Sequence, residues 1–123
     1  MKKILFPTDF SEVANNAFIH ALEFAKIVNG ELLLLHTFEL PIVDNQFIPD
    51  NYYNIFDTLQ LAQFDMFKEE IPKLRELAKK KHLDHIKLSH RLMDGDLIYA
   101  IKKVVKEENI NFIVMGTSGS TGW

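Results

Sequence analysis

Phe112-Ile113-Val114-Met115-Gly116-Thr117-Ser118-Gly119-Ser120-Thr121-Gly122-Trp123 forms the last twelve positions of this 123-residue sequence. Four large apolar residues run straight into a Gly-x-x-Gly turn rich in hydroxyls. An apolar run of that length reads as a buried strand. A glycine turn directly after such a strand lets backbone N–H groups close on an anion, as nucleotide phosphates require. No helical pattern follows the turn within this sequence, so the turn is expected to lack the helix that normally anchors it.

The frame around this stretch is that of one ordinary globular domain. Hydrophobic residues make up 47% and charged residues 25% of the chain, values typical of a packed core with a solvated surface. The formal net charge is −3, which argues against a nucleic-acid partner, since those partners select basic surfaces. The chain has no cysteine, which excludes disulfides, thiolate metal sites and thiol catalysis. The apolar run Ile4-Leu5-Phe6 is too short for a signal peptide, and no stretch approaches the roughly 20 apolar residues that cross a membrane. The cytoplasm is the default compartment.

From the other end, Lys3-Ile4-Leu5-Phe6-Pro7 reads as a short buried strand stopped by proline. Thr8-Asp9-Phe10-Ser11 is a tight connection, with Ser11 as helix N-cap and Glu12 in the favourable first turn. Ala14, Ala17, Phe18, Ala21, Ala25 and Val28 recur at helical spacing and predict a helix over 12–29, capped by Gly30 in the left-handed region. Leu32-Leu33-Leu34-Leu35 is the second buried strand, although leucine alone favours helix. Residues 38–54 form a long connection containing Pro41 and Pro49. Helical spacing resumes from 55 to 81, with Pro72 expected to kink or split it and Lys79-Lys80-Lys81 at its carboxyl end. Ile86, Leu88, His90 and Leu92 alternate with Lys87, Ser89 and Arg91, which predicts a strand buried on one face, hence at an edge. Asp94-Gly95-Asp96 turns into a short helix ending near Asn109, and Asn111–Met115 is the fourth strand.

Strands alternating with helices predict a parallel sheet with right-handed crossovers. The strands without polar alternation, the first, second and fourth, are expected to be central, in the order 3-2-1-4. The crevice then opens between strands one and four at their carboxyl ends. Pro7, Thr8 and Asp9 lie there with Gly116 to Gly122, and His36 and Thr37 are next door.

Taken together, Lys3 to Ser11, Leu34-Leu35-His36, Gly95-Asp96 and Ile113 to Gly119 resemble a universal stress protein domain, in order and spacing over the whole chain. The resemblance implies an α/β, Rossmann-like open parallel sheet. It implies a stress-response module binding adenine nucleotide, with ATP and its Mg²⁺ as the ligand. By resemblance, the cofactor-binding set is Pro7, Thr8, Asp9, His36, Thr37, Met115, Gly116, Ser118, Gly119 and Ser120, with Thr121 adding a hydroxyl. Gly116 and Gly119 match the first half of the family's ATP motif. Its second half would place a glycine at position 129, which this 123-residue sequence does not reach. Relative to the family, the usual fourth helix and fifth strand are missing. Residues 1–123 are therefore expected to form a single incomplete domain, or the front of a tandem-domain protein.

Other readings stand beside these. Asp9 can accept bonds from ribose hydroxyls or an adenine amino group, or it can cap the first helix with Ser11; both can hold together. The glycine turn can be a phosphate loop or an ordinary loop, and the missing second half of the motif favours the alternative of a stress-family module that binds no nucleotide and works by dimerisation or partner docking. His82 and His85 read as a surface pair rather than a metal site, and His20 with Glu23 as a solvated helix face. Phe56, Phe64 and Phe67 read as core or oligomer surface. No phosphate-loop lysine, nucleophile elbow or acid–base pair is present, so the chain reads as a binding module and not an enzyme. An apolar fourth strand left at the sheet edge is expected to pair with a second copy across a two-fold, giving a homodimer. The first helix is expected to lose a helical neighbour on its face of the sheet.

Overall fold

The structure is a computed structural model that describes residues 1–39 and 52–116, with side chains described from residue 57 onward in the second part. In chain order the elements are β1 (Lys2–Pro7), α1 (Glu12–Val28), β2 (Gly30–Phe38), α2 (Tyr52–Lys80), β3 (Leu88–Asp94), α3 (Leu97–Glu108) and β4 (Phe112–Ile113). The four strands form one sheet in the order β3-β2-β1-β4, and every pairing is parallel. The α/β class and the strand order thus follow the alternation of buried runs and helical periods.

Side-chain alternation divides the interior in two. Ile4, Phe6, Leu32 and Leu34 point to one face, where they meet Phe18, Ala21, Leu22 and Ala25 of α1 and Phe67, Ile71, Leu74 and Ala78 of α2. Leu5 and Leu35 point to the other, against Ala100 and Val104 of α3. Helices α1 and α2 therefore share a face. The expectation that α1 would lack a helical neighbour is corrected: among the described residues it is α3 that stands alone on its side of the sheet.

Three further expectations are corrected. The left-handed cap of α1 is Asn29 (φ 55°), whose N–H reaches back to Ala25 and Lys26 carbonyls. Gly30 opens β2 instead. A Cβ there would lie 2.8 Å from the Lys2 carbonyl oxygen, so the glycine serves close approach of β2 to β1. Pro72 does not split α2, which continues as one helix around it. Phe67, Ile71, Leu74 and Ala78 anchor the helix on both sides of the proline, and that burial outweighs the roughly 3 kcal/mol an interior proline costs.

Strand β4 is neither central nor buried. It pairs with β1 alone, and Phe112, Ile113 and Met115 are 36%, 48% and 39% exposed. The reason is the reach of α3. Ile113 stands beside Leu5 in register, on the face α3 covers, but α3 packs over Leu5, Leu33, Leu35 and Met93 of the other strands. Phe112 faces the other way and meets Phe24 of α1 edge-on at 5.0 Å. The ladder to β1 is also irregular. Asn111 N–H and Val114 N–H, three residues apart, reach the carbonyls of Lys3 and Leu5, two apart. The Asn111 side chain accepts from Lys3 N–H at 2.9 Å, standing in for a strand carbonyl. The extra residue is bulge-like and re-aims the chain as it leaves the sheet.

The close approach at Gly30 has a measurable consequence. Gly30→Ala should lower unfolding stability by about 1–3 kcal/mol, because the clashing atom is backbone and cannot rotate away. Urea denaturation of the two proteins checks this; an unchanged midpoint would show that the strands separate at little cost.

Candidate functional site

The exit of β1 is built almost entirely from hydrogen bonds made by Thr8 and its neighbours. Thr8 is fully buried. Its N–H donates to the Leu35 carbonyl at 2.8 Å, continuing the β1–β2 ladder one residue past Pro7. Its Oγ1 accepts from Phe10 N–H at 3.0 Å, a local turn that hydroxyl side chains favour. Its carbonyl accepts from His36 Nδ1 at 2.8 Å. One residue on, Asp9 is exposed and its Oδ1 accepts from Ser11 N–H at 2.9 Å. Ser11 Oγ then accepts from Ala14 N–H at 3.1 Å, capping α1 as its sequence predicts. The turn aspartate and the cap serine therefore work in series, and the Asp9 carboxylate stays at the surface.

Phe10 takes φ 61°, a left-handed conformation that bulky residues rarely adopt. Its ring lies 4.9 Å from His36 and 5.8 Å from Phe67. His36 stacks on Phe67 at 6.4 Å, and Phe67 meets His90 edge-on at 5.3 Å. Gln63 of α2 closes the cluster, 3.4 Å from His36 Nε2. Of the phenylalanines in α2, Phe67 is core and Phe64 is exposed; Phe56 lies outside the described side chains.

On the far side of β1, the chain leaving β4 runs over the start of α1. Val114 N–H donates to Leu5 O at 3.0 Å, which sets the two strand exits side by side. A Cβ on Gly116 would fall 2.7 Å from Ala17 Cβ and 3.3 Å from both Ala14 Cα and Val13 O. Gly116 is thus required by its contact with the first turns of α1. Among the sequence-derived site residues, Pro7, Thr8, Asp9, Met115 and Gly116 are brought to the amino end of α1. Thr37 continues β2, half-buried. His36 is only 8% exposed, with its ring turned to Thr8 and Phe10. Ser118, Gly119, Ser120 and Thr121 lie outside the described residues.

What the site offers chemically is a surface carboxylate at one strand exit and a backbone approach at the next. Together they flank a helix N-terminus, where the dipole favours anions. Among the described residues no group of three or more His, Cys, Asp or Glu is placed to hold a metal ion, and no helix is long and apolar enough to cross a membrane.

Comparison with known proteins now gives this geometry a family. The model of the universal stress protein family matches residues 1–123. The chain belongs to the universal stress protein family. It is 32% identical over 134 residues to universal stress protein MJ0577 of Methanocaldococcus jannaschii, covering 98% of this chain and 78% of that one. The solved structure of universal stress protein UspA from Lactobacillus plantarum superposes with a TM-score of 0.77 at 20% identity, over 98% of this chain and 81% of its own. A universal stress protein solved in complex with cAMP matches with a TM-score of 0.54 at 15% identity, over 91% and 69% of the two chains. The sheet order and Rossmann-like architecture are those of this family. Sequence reasoning missed the Phe10–His36–Phe67 cluster, because its members are far apart in the chain. The signal available was His36 itself, a polar residue closing a run of four leucines.

The Gly116 seat can be tested by a double substitution. Gly116→Ala should cost about 1–3 kcal/mol of stability, and Ala17→Gly in the same chain should recover part of that by removing the clashing methyl. A thermodynamic cycle that is additive within roughly 0.3–0.5 kcal/mol would show that the two residues do not touch in solution.

Proposed function

We propose that this stress protein binds adenine nucleotide, with Mg-ATP as the ligand, in the crevice between the exits of β1 and β4. The observation that carries the reading is the Asp9 carboxylate. It is exposed at the end of β1, yet its direction is fixed by the bond from Ser11 N–H. A pre-set acceptor of this kind suits ribose hydroxyls or the adenine amino group. Gly116, packed on α1, starts the Gly-x-x-Gly segment, whose backbone donors would take the phosphates. A family relative solved with cAMP supports nucleotide as the ligand class. The chain acts on this reading as a binding and regulatory module of the cytoplasm rather than as a catalyst.

Calorimetric titration with Mg-ATP tests the proposal. Asp9→Asn keeps an oxygen for Ser11 N–H and removes the charge, so its turn survives. It should weaken binding roughly 10- to 150-fold, the value of charge-assisted bonds worth about 1.5–3 kcal/mol. Asp9→Ala should bind no better. Absence of heat with the unsubstituted protein would overturn the assignment.

A second reading rests on β4. Its outer edge is unpaired among the described residues, and Ile113 and Met115 are exposed beside it. Such an edge is a template for a second copy of the chain, and we infer a homodimer formed by β4 against β4. Light scattering should return a dimer mass for the unsubstituted protein and a monomer mass for Ile113→Lys. A monodisperse monomer for both would remove this reading and leave the nucleotide site untouched.

A further inference from the structure

We propose that His36 is the positioning residue of the nucleotide site: through the Thr8 carbonyl it sets the direction of the Asp9 carboxylate without itself touching ligand. This rests on the nucleotide-binding reading above, and the geometry behind it is independent of any ligand. Three peptide planes carry the chain through the turn. The Thr8–Asp9 plane is held at its carbonyl by His36 Nδ1 at 2.8 Å. The Asp9–Phe10 plane is held at its N–H by Thr8 Oγ1. The Phe10–Ser11 plane is held at its N–H by Asp9 Oδ1. Peptide units are rigid, so anchoring these groups restricts the dihedrals between them, and the Asp9 carboxylate is held within the turn by its bond from Ser11 N–H. The last two bonds are local and belong to the turn itself. The first is the only one of the three that ties the turn to another element, and it comes from β2.

The chemistry of the bond is determined. A carbonyl oxygen only accepts, so Nδ1 carries a proton in every charge state of His36. The Nε2 side of the ring faces the Gln63 amide, with Oε1 at 3.4 Å; a half-turn exchanges the two ends of that amide, so it can meet Nε2 as acceptor or as donor. The same ring supports Phe10 at 4.9 Å, in the one residue of the turn with φ near +60°. His36 thus holds both residues that flank Asp9, Thr8 by a hydrogen bond and Phe10 by ring contact. Its burial keeps it from reaching solvent or ligand.

Two substitutions separate these roles. His36→Asn keeps a donor at about the place of Nδ1 and loses the ring. His36→Phe keeps the ring and loses the donor. Global stability, read by thermal melting, should fall further for Asn than for Phe. Mg-ATP affinity should run the other way, near the unsubstituted value for Asn and weaker by roughly tenfold for Phe, the scale on which outer partners of a site act. A merely structural histidine would give the same order in both measurements, and that result would overturn the proposal. Amide exchange on the ligand-free protein reads the same point without nucleotide. Phe10 and Ser11 amides should lose protection in His36→Phe and keep it in His36→Asn, with Val104 in α3 unchanged. If the unsubstituted protein binds no ATP, the functional reading fails while the exchange comparison still decides the role of His36. Should His36→Phe not fold, the unsubstituted protein suffices: its imidazole spectrum should show a slowly exchanging Nδ1–H, and a tautomer protonated only at Nε2 would overturn the assignment.

Discussion

Everything at the candidate site depends on the placement of β1. It is paired on both edges, to β2 and to β4, and buried on both faces by Ile4 and Phe6 on one side and Leu5 on the other. A one-residue slip would exchange those faces. Phe6 would then have to fit against the small α3 core of Ala100 and Val104. The register is therefore closely specified, and with it the point at which Pro7 releases the chain. The turn from Thr8 to Ser11 begins at a fixed place because the strand before it has one available register.

Much of this was legible in the sequence because it follows from periodicity. The unbroken runs at Ile4 and Leu32, the alternation at Leu88 to Leu92 and the helical spacing from Ala14 to Val28 each have one economical reading. Together they leave one sheet order. The Ser11 cap was legible because it is local, and so was the bond that Asp9 makes beside it; Asp9 as a site residue came from the family resemblance. The misreadings share a different cause: the residues involved answer to neighbours distant in sequence. Gly30 sits one residue past the end of a helix, where glycine usually means a left-handed cap, but the constraint on it comes from the Lys2 carbonyl across the sheet. Asn29 takes the cap, as asparagine tolerates that conformation. The run from Phe112 to Met115 looked uniformly buried because hydrophobicity was read without knowing where α3 would lie. A split at Pro72 was one of the two expected outcomes, beside a kink, because the packing on either side of it was not visible.

Helix α1 carries two kinds of contact, and its sequence separates them. Phe18, Leu22 and Ala25 fill the core. Ala14 and Ala17 are small where the chain leaving β4 crosses them, and Gly116 meets them without a Cβ. A larger residue at any of the three would push the glycine segment off the helix. The packing that places the β4 exit beside Asp9 is thus a matter of what has been left out. This explains why the spacing of apolar residues alone, which ranks alanine as weakly hydrophobic filler, says nothing of it.

The strained residue at Phe10 shows how the site and the fold are tied together. A left-handed phenylalanine is unfavourable by about 1–3 kcal/mol, and the local bond from its N–H to Thr8 Oγ1 leaves its ring without a local partner. The compensation comes from the ring contacts with His36 on β2 and Phe67 on α2. The turn therefore gains the ring contacts of Phe10 only when β2 has paired with β1 and α2 has docked on their shared face. An isolated peptide spanning Lys3 to Val28 contains the strand, the aspartate and the cap, yet it lacks both supports for Phe10. The aspartate is a local feature of the sequence, and its direction is a property of the assembled domain.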